Sequence, residues 1–186
     1  MNTKEQELIQ IIQNDNWMME ILTTVERLQL NDCWVCAGFI RNKVWDVVHH
    51  FRTSTPLNDI DVIYFDLQDI TVNQERIIEK RLLEMMPNEP WSVKNQARMH
   101  VKNKTNPYIS SYDGVAHFPE MPTAIGARKV KGEIEILAPY GTDIVFSKIV
   151  KPTPFYDINT SLYSKYVERV NNKKWDTIWT DLIIQM

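Results

Sequence analysis

Asp59 and Asp61 are the side chains of this chain best placed to do chemistry. They stand two apart where Ile60-Asp61-Val62-Ile63-Tyr64-Phe65 begins, a β-branched and aromatic run that reads as a strand. Side chains alternate along a strand, so both carboxylates project from one face. Charges so close repel one another, and a divalent cation held between them removes that cost. Mg²⁺ on such a pair can align a nucleoside triphosphate and lower the pKa of an attacking hydroxyl. The same spacing also suits a solvated strand entry, in which Asp59 after Asn58 ends a turn.

Gly38 supplies a second feature. A short apolar run, Cys33-Trp34-Val35-Cys36-Ala37, reads as a strand that ends at this glycine. A helix follows at once, with Ile40, Val44, Val47, Val48 and Phe51 on one stripe. Strand, glycine, helix is an order that lets backbone N–H groups approach a phosphate at the positive end of the helix. Arg41 lies in the first helical turn, where the dipole disfavours a cation by about 0.3–1 kcal/mol. A resident anion would reverse that cost, and a surface charge would simply tolerate it. A glycine also serves any turn that needs φ > 0.

These two features together resemble the leading signatures of the nucleotidyltransferase superfamily: Ala37-Gly38-Phe39-Ile40-Arg41-Asn42 with Trp45, then Asp59-Ile60-Asp61-Val62. More narrowly, the chain is similar to a bacterial family of nucleotidyltransferases that was formerly a domain of unknown function. The similarity continues through Trp91-Ser92-Val93-Lys94-Asn95-Gln96-Ala97-Arg98-Met99-His100, Pro119-Glu120, Thr123 and Ala138-Pro139-Tyr140-Gly141, and covers residues 30 to 155. It implies an α/β nucleotidyltransferase fold: a mixed β-sheet flanked by helices, with a C-terminal hairpin and helices. It also implies transfer of a nucleoside monophosphate from a nucleoside triphosphate to an unknown acceptor (small molecule, protein or RNA), with Mg²⁺ or Mn²⁺ as cofactor. Carried over by position, Gly38 abuts the triphosphate, while Asp59 and Asp61 bind metal.

The superfamily usually adds a third acidic residue on a later strand. The frame Trp91-Ser92-Val93 offers serine there, a poor metal ligand and a poor base at pH 7. Glu135, between Ile134 and Ile136, has the hydrophobic–acid–hydrophobic pattern and is the substitute candidate, or else a solvent-facing hairpin residue. Ser92 therefore motivates an alternative: a catalytically impaired nucleotide- or RNA-binding module of the same fold. From Pro90 to Tyr112 the charges are Lys94, Arg98, Lys102 and Lys104, with His100 nearby. Lys94 and Arg98 join Arg41 as candidate phosphate ligands, or as lysine-rich edge protection. Asn95 is either a candidate for a ribose or base, or a buried amide satisfied by backbone.

The surrounding elements follow from periodicity and turn chemistry. Thr3 with Gln6, and Thr71 with Gln74, have capping-box spacing before apolar helical stripes. Asn14-Asp15-Asn16 interrupts the first helix, and Trp17, Ile21, Leu22, Val25 and Leu28 outline a second. A third strand is expected over 91–100 and a short helix over 110–117. Thr123 to Val130 and Glu133 to Leu137 should pair as a hairpin turning at Lys131-Gly132. Leu162, Tyr163, Tyr166, Val167 and Val170 mark a C-terminal helix, and the last segment, with Trp175 and Trp179, should dock on the body.

A chain of 186 residues fits one domain: N-terminal helices over 1–30, a core over 31–138 and a C-terminal helical region over 139–186. A net charge of −3 excludes nucleic-acid binding driven by the whole surface, so any anion site is local. No apolar run approaches the roughly 20 residues that cross a bilayer, so no membrane is expected. Cys33 and Cys36 form a lone C-x-x-C within a strand; buried free thiols are expected rather than a metal or redox pair, and no disulfide-linked partner. A cytoplasmic address follows.

Overall fold

The structure is a computed structural model that describes residues 3–103 and 105–186. The chain opens with α1 (Thr3–Gln13) and α2 (Asn16–Glu26). The Asp15 side chain caps α2 by accepting from the Met18 N–H at 3.1 Å, which explains the break at 14–16. Strand β1 (Trp34–Cys36) runs into α3 (Gly38–Val48), and β2 (Ile60–Tyr64) follows the loop that contains Pro56. The capping pair then starts α4 (Val72–Met85), with the Gln74 N–H donating to Thr71 Oγ1 at 3.3 Å. After β3 (Trp91–Asn95) come α5 (Gln96–Asn103) and α6 (Ser111–Ala116). The hairpin β4 (Gly126–Val130) and β5 (Glu133–Leu137) turns through Lys131 at φ 52° and Gly132 at φ 92°, the paired positive values of a two-residue turn. Next are the short α7 (Asp143–Phe146), β6 (Ile149–Val150), α8 (Tyr163–Lys173) and β7 (Ile183–Ile184).

Five strands form one mixed sheet in the order β3-β2-β1-β4-β5; β2 and β3 are parallel and the other pairs antiparallel. Alternation along the strands divides the apolar residues between two faces. Val35, Ile60, Val62, Val93 and Ala127 join the main core with Leu8, Leu22, Ile40, Trp45, Ile78 and Leu82 from the helices. Trp34, Cys36 and Ile63 form a smaller cluster on the other face with Ala37, Val115, Ala124 and Leu137. That second face is the thinly covered one, and Asp61 belongs to it.

Two expectations need correction. The strand of 91–100 ends at Asn95, and residues 96–103 are helical. The reason is the Asn95 side chain, whose Oδ1 accepts from Asp66 N at 3.1 Å and Ala97 N at 3.0 Å, drawing the chain out of the ladder. The first hairpin arm begins at Gly126, because Met121–Thr123, with Pro122, forms a 3₁₀ turn. The C-terminal segment docks as expected: Trp175 and Trp179 lie edge-on to Trp45 at 5.7 and 5.0 Å, and Trp179 Nε1 donates to Asp46 Oδ1 at 2.9 Å. Its last residues add a small parallel pair, β6 with β7, that no sequence pattern announced.

Candidate active site

Asp59 and Asp61 stand where β2 begins, and the register puts Asp61 between Cys36 of β1 and Ser92 of β3. Both carboxylates line a cleft of about 340 Å³ together with Ala37, Ser92, Lys94 and Arg169. Asp59 is exposed and Asp61 is half-buried. Burial raises the Asp61 pKa above the ordinary carboxylate value and the Asp59 charge raises it further; a hydrogen bond from Ser92 and the charges of Arg169 and Lys94 oppose the rise. The site therefore holds its negative charge at a cost.

The joint between β1 and α3 forms the next wall. The residue in the left-handed region is not Gly38 but Ala37, at φ 56° and ψ −117°. A side chain there is strained, as is common beside functional clefts. The Ala37 carbonyl accepts from Ile40 N at 3.2 Å and Arg41 N at 2.9 Å, and no side chain caps the helix. At Gly38 a Cβ would meet Leu57 Cδ2 at 3.4 Å and Arg41 Nη2 at 3.6 Å, ordinary contacts, so neither crowding nor a positive φ requires glycine there.

Arg41 is an interior residue, only 7% exposed. Its guanidinium packs on the rings of Trp45 at 5.0 Å and Trp175 at 4.4 Å, and Nη2 donates to Asn42 Oδ1 at 2.7 Å. Its Nε has no partner among the described residues. Burial pulls its pKa down to about 10; Glu120, Asp61 and Asp59 oppose that pull, while Arg169 adds to it.

The remaining candidates separate. Lys94 reaches the cleft, held by the Val93 carbonyl at 2.8 Å and by Glu79 at 3.5 Å. Lys102 also lines it, and Lys104 lies outside the described residues. Asn95 is fully buried; besides its two acceptor bonds, Nδ2 donates to the carbonyls of Asp66 at 2.7 Å and Asp69 at 3.0 Å. No capacity is left for a ligand, and its role is to join β3 to the loop after β2. Arg98 is committed to the buried Glu75, through Nε at 2.7 Å and Nη2 at 2.5 Å. Glu135 lies on β5, three strand spacings from β2, or roughly 14 Å. It accepts from Arg128 at 2.7 Å, and Arg128 in turn covers Trp34. The structure does not bring it to Asp59 and Asp61.

Two residues of the site carry no readable mark in the sequence. Arg169 projects from α8 into the cleft, and its Nε donates to Glu120 Oε1 at 2.6 Å. In the sequence it stands beside the apolar stripe of Tyr166 and Val170, where a charge ordinarily faces solvent. Glu120 belongs to the run that carried the resemblance, but nothing local reveals that it is buried. Cys33 and Cys36 are free thiols. Burial pushes the Cys33 pKa up to about 12 and the Cys36 pKa well above the ordinary thiol value, so neither is a reactive thiolate. Among the described residues no group of three or more His, Cys, Asp or Glu side chains could hold a metal ion. The candidate metal ligands are therefore a pair of carboxylates.

The sequence profile of a family described as Nucleotidyltransferase matches residues 23–184. The chain belongs to this nucleotidyltransferase family. A solved structure whose description reads "The NMR structure of the protein reveals a CCA-adding enzyme head domain" is 34% identical, with a TM-score of 0.84 over 97% of this chain and 95% of that one. Comparison with curated proteins finds no match. The mixed sheet with flanking helices is thus a nucleotidyltransferase head-domain fold, and the family supports nucleotidyl transfer in general. Nucleotidyltransferases in general use divalent metal ions. Among the described residues of this family member, no helix is long and apolar enough to cross a membrane.

Proposed function

We propose that the cleft binds a nucleoside triphosphate with Mg²⁺ or Mn²⁺ and transfers the nucleoside monophosphate to an acceptor hydroxyl. The observation that carries this reading is the pairing of Asp59 and Asp61 on one strand face, in one cleft with Lys94 and Arg169. The donor set fits a divalent ion: two hard oxygen ligands, one of them half-buried, with burial and the neighbouring carboxylate both working against its charge. An ion bound there supplies charge neutralisation at the phosphates and for the departing pyrophosphate. The residues of the chain do the rest. Lys94 offers a cation to phosphate oxygens, the uncapped start of α3 offers N–H groups beside Ala37, and Ser92 holds Asp61 by a hydrogen bond. The description of the similar structure makes an RNA end the first acceptor to test, followed by small metabolites and protein hydroxyls.

The chain acts in this reading as one domain, in a reducing compartment such as the cytoplasm where Cys33 and Cys36 stay free. A second reading, a nucleotide- or RNA-binding module without catalysis, is favoured by Ser92 in register with Asp61, where a third carboxylate is expected. Calorimetry with each nucleoside triphosphate, with and without Mg²⁺ or Mn²⁺, tests the first reading, and absence of metal-dependent binding refutes it. Pyrophosphate release across an acceptor screen, abolished in Asp61→Asn, distinguishes the enzyme from the module.

A further inference from the structure

Besides the carboxylates, the cleft has a lining of different chemistry at Arg169. Glu120 is completely buried; Arg169 pairs with it, and its charge reaches Arg41. Its Oε1 accepts from Arg169 Nε at 2.6 Å, and its Oε2 accepts from Thr123 Oγ1 at 2.8 Å. Arg41, behind Gly38, feels its charge but makes no ion pair with it among the described residues. Glu120 is the carboxylate bonded to this wall, and Arg41 is balanced only at a distance, by Glu120, Asp61 and Asp59. Cations gathered in a partly desolvated wall favour an approaching anion. The geometry of Arg169 agrees. Glu120 takes its Nε, while its terminal nitrogens, at a side chain 40% exposed, have no hydrogen-bond partner among the described residues. A guanidinium clamped at one edge and open at the other is set for two-pronged contact with a phosphate.

We propose that Arg169 is a phosphate-binding residue that reads the length of the polyphosphate, with Glu120 as its positioning residue and Arg41 as the buried charge behind it. This rests on the reading of the cleft as a nucleotide site. The α-phosphate belongs beside Asp59 and Asp61, so the wall formed by α8 meets the terminal phosphates. A nucleoside triphosphate engages both walls, and a monophosphate engages one. The C-terminal helix thereby becomes part of the substrate site rather than an appended region.

Calorimetry in Mg²⁺ with adenosine mono-, di- and triphosphate and with inorganic tripolyphosphate tests this in the full chain and in Arg169→Met, Arg169→Lys and Glu120→Gln. In Arg169→Met, affinity for triphosphate and tripolyphosphate should fall roughly ten- to a hundredfold, the scale of a lost charge-assisted contact, while monophosphate affinity stays unchanged. Arg169→Lys should recover part of the loss, which a merely structural role for the side chain would not predict. Glu120→Gln should weaken triphosphate binding through a mobile Arg169; because Glu120 is buried this variant can lose its fold, and Arg169→Met, altering a partly exposed side chain, carries the decision. Equal weakening for all three nucleotides, or unchanged triphosphate binding, overturns the proposal. If the unaltered chain binds tripolyphosphate through Arg169 but no nucleotide, the nucleotidyl-transfer reading fails and the anion site stands. If it binds triphosphate and Arg169→Met does too, the reverse holds. Binding of neither overturns both.

Discussion

Asp61→Asn should make the protein more stable and useless at the same time. Asp59 and Asp61 are two residues apart on a strand, roughly 6.8 Å along the backbone. Two unit charges at that separation repel by roughly 0.6 kcal/mol in water and about 2.4 kcal/mol at an effective dielectric constant of 20. Asp61 is half-buried and Asp59 exposed, so a value of about 1 kcal/mol is appropriate. Burial adds its own cost, and Ser92, Arg169 and Lys94 return only part of it, since the Asp61 pKa stays raised. Removing the charge while keeping the shape should lift the melting temperature by about 2–4 °C at pH 7 in the absence of divalent metal. The pH dependence has a definite sign. A carboxyl whose folded pKa exceeds its unfolded value is favoured protonated, so the unaltered protein gains stability as pH falls through the folded value and loses it as pH rises. The advantage of Asp61→Asn should therefore be present at pH 7 and disappear as the pH falls towards 3.8, the ordinary value. Adding Mg²⁺ with a nucleoside triphosphate should reverse the ranking, because only the carboxylate pair gains from the ion. Differential scanning calorimetry across pH, with EDTA or with Mg²⁺ and nucleotide, measures all of this. A variant that melts below the unaltered protein at pH 7 in EDTA, or that Mg²⁺ and nucleotide stabilise equally, refutes the reasoning.

Other perturbations separate architecture from chemistry. Asn95→Ala leaves four backbone groups of residues 66, 69 and 97 without partners, and urea unfolding should show a loss of about 3 kcal/mol or more; an unchanged midpoint would refute its role as a joint. Arg98→Ala strands the buried Glu75 and should cost about 3–5 kcal/mol by the same measurement, with triphosphate affinity unchanged in the fraction that stays folded. Ser92→Asp sets a carboxylate in register with Asp61 and should raise pyrophosphate release by about 10² or more if a base is what the site lacks; no gain would argue against that deficit. Cys36, which is buried, should react slowly with a thiol reagent at pH 8 in the folded protein and quickly once it is unfolded, while the partly exposed Cys33 is slowed by its raised pKa; rapid native-state labelling of Cys36 would contradict its burial.

Local chemistry determined a good part of this protein from its sequence. The capping residues Asp15 and Thr71 start their helices, the Lys131-Gly132 turn closes its hairpin, and the alternation Asp59-Ile60-Asp61 sets two carboxylates on one face, because each depends on neighbours within a few residues. Ala37-Gly38 also marks the joint between strand and helix, although the strained position is the alanine. Tertiary structure decided which charges meet. Glu135 has a suitable local pattern, but the order of the sheet sets three strand spacings between it and Asp61. Asn95 and Arg98 sit in the run that carried the family resemblance, yet partners 20 to 29 residues away in sequence, Glu75 and Asp66, claim them for the scaffold. Arg169 meets Glu120 across 49 residues. Periodicity reports which face a side chain takes and is silent on what faces it, so the cationic wall of the cleft exists only once α8 has packed.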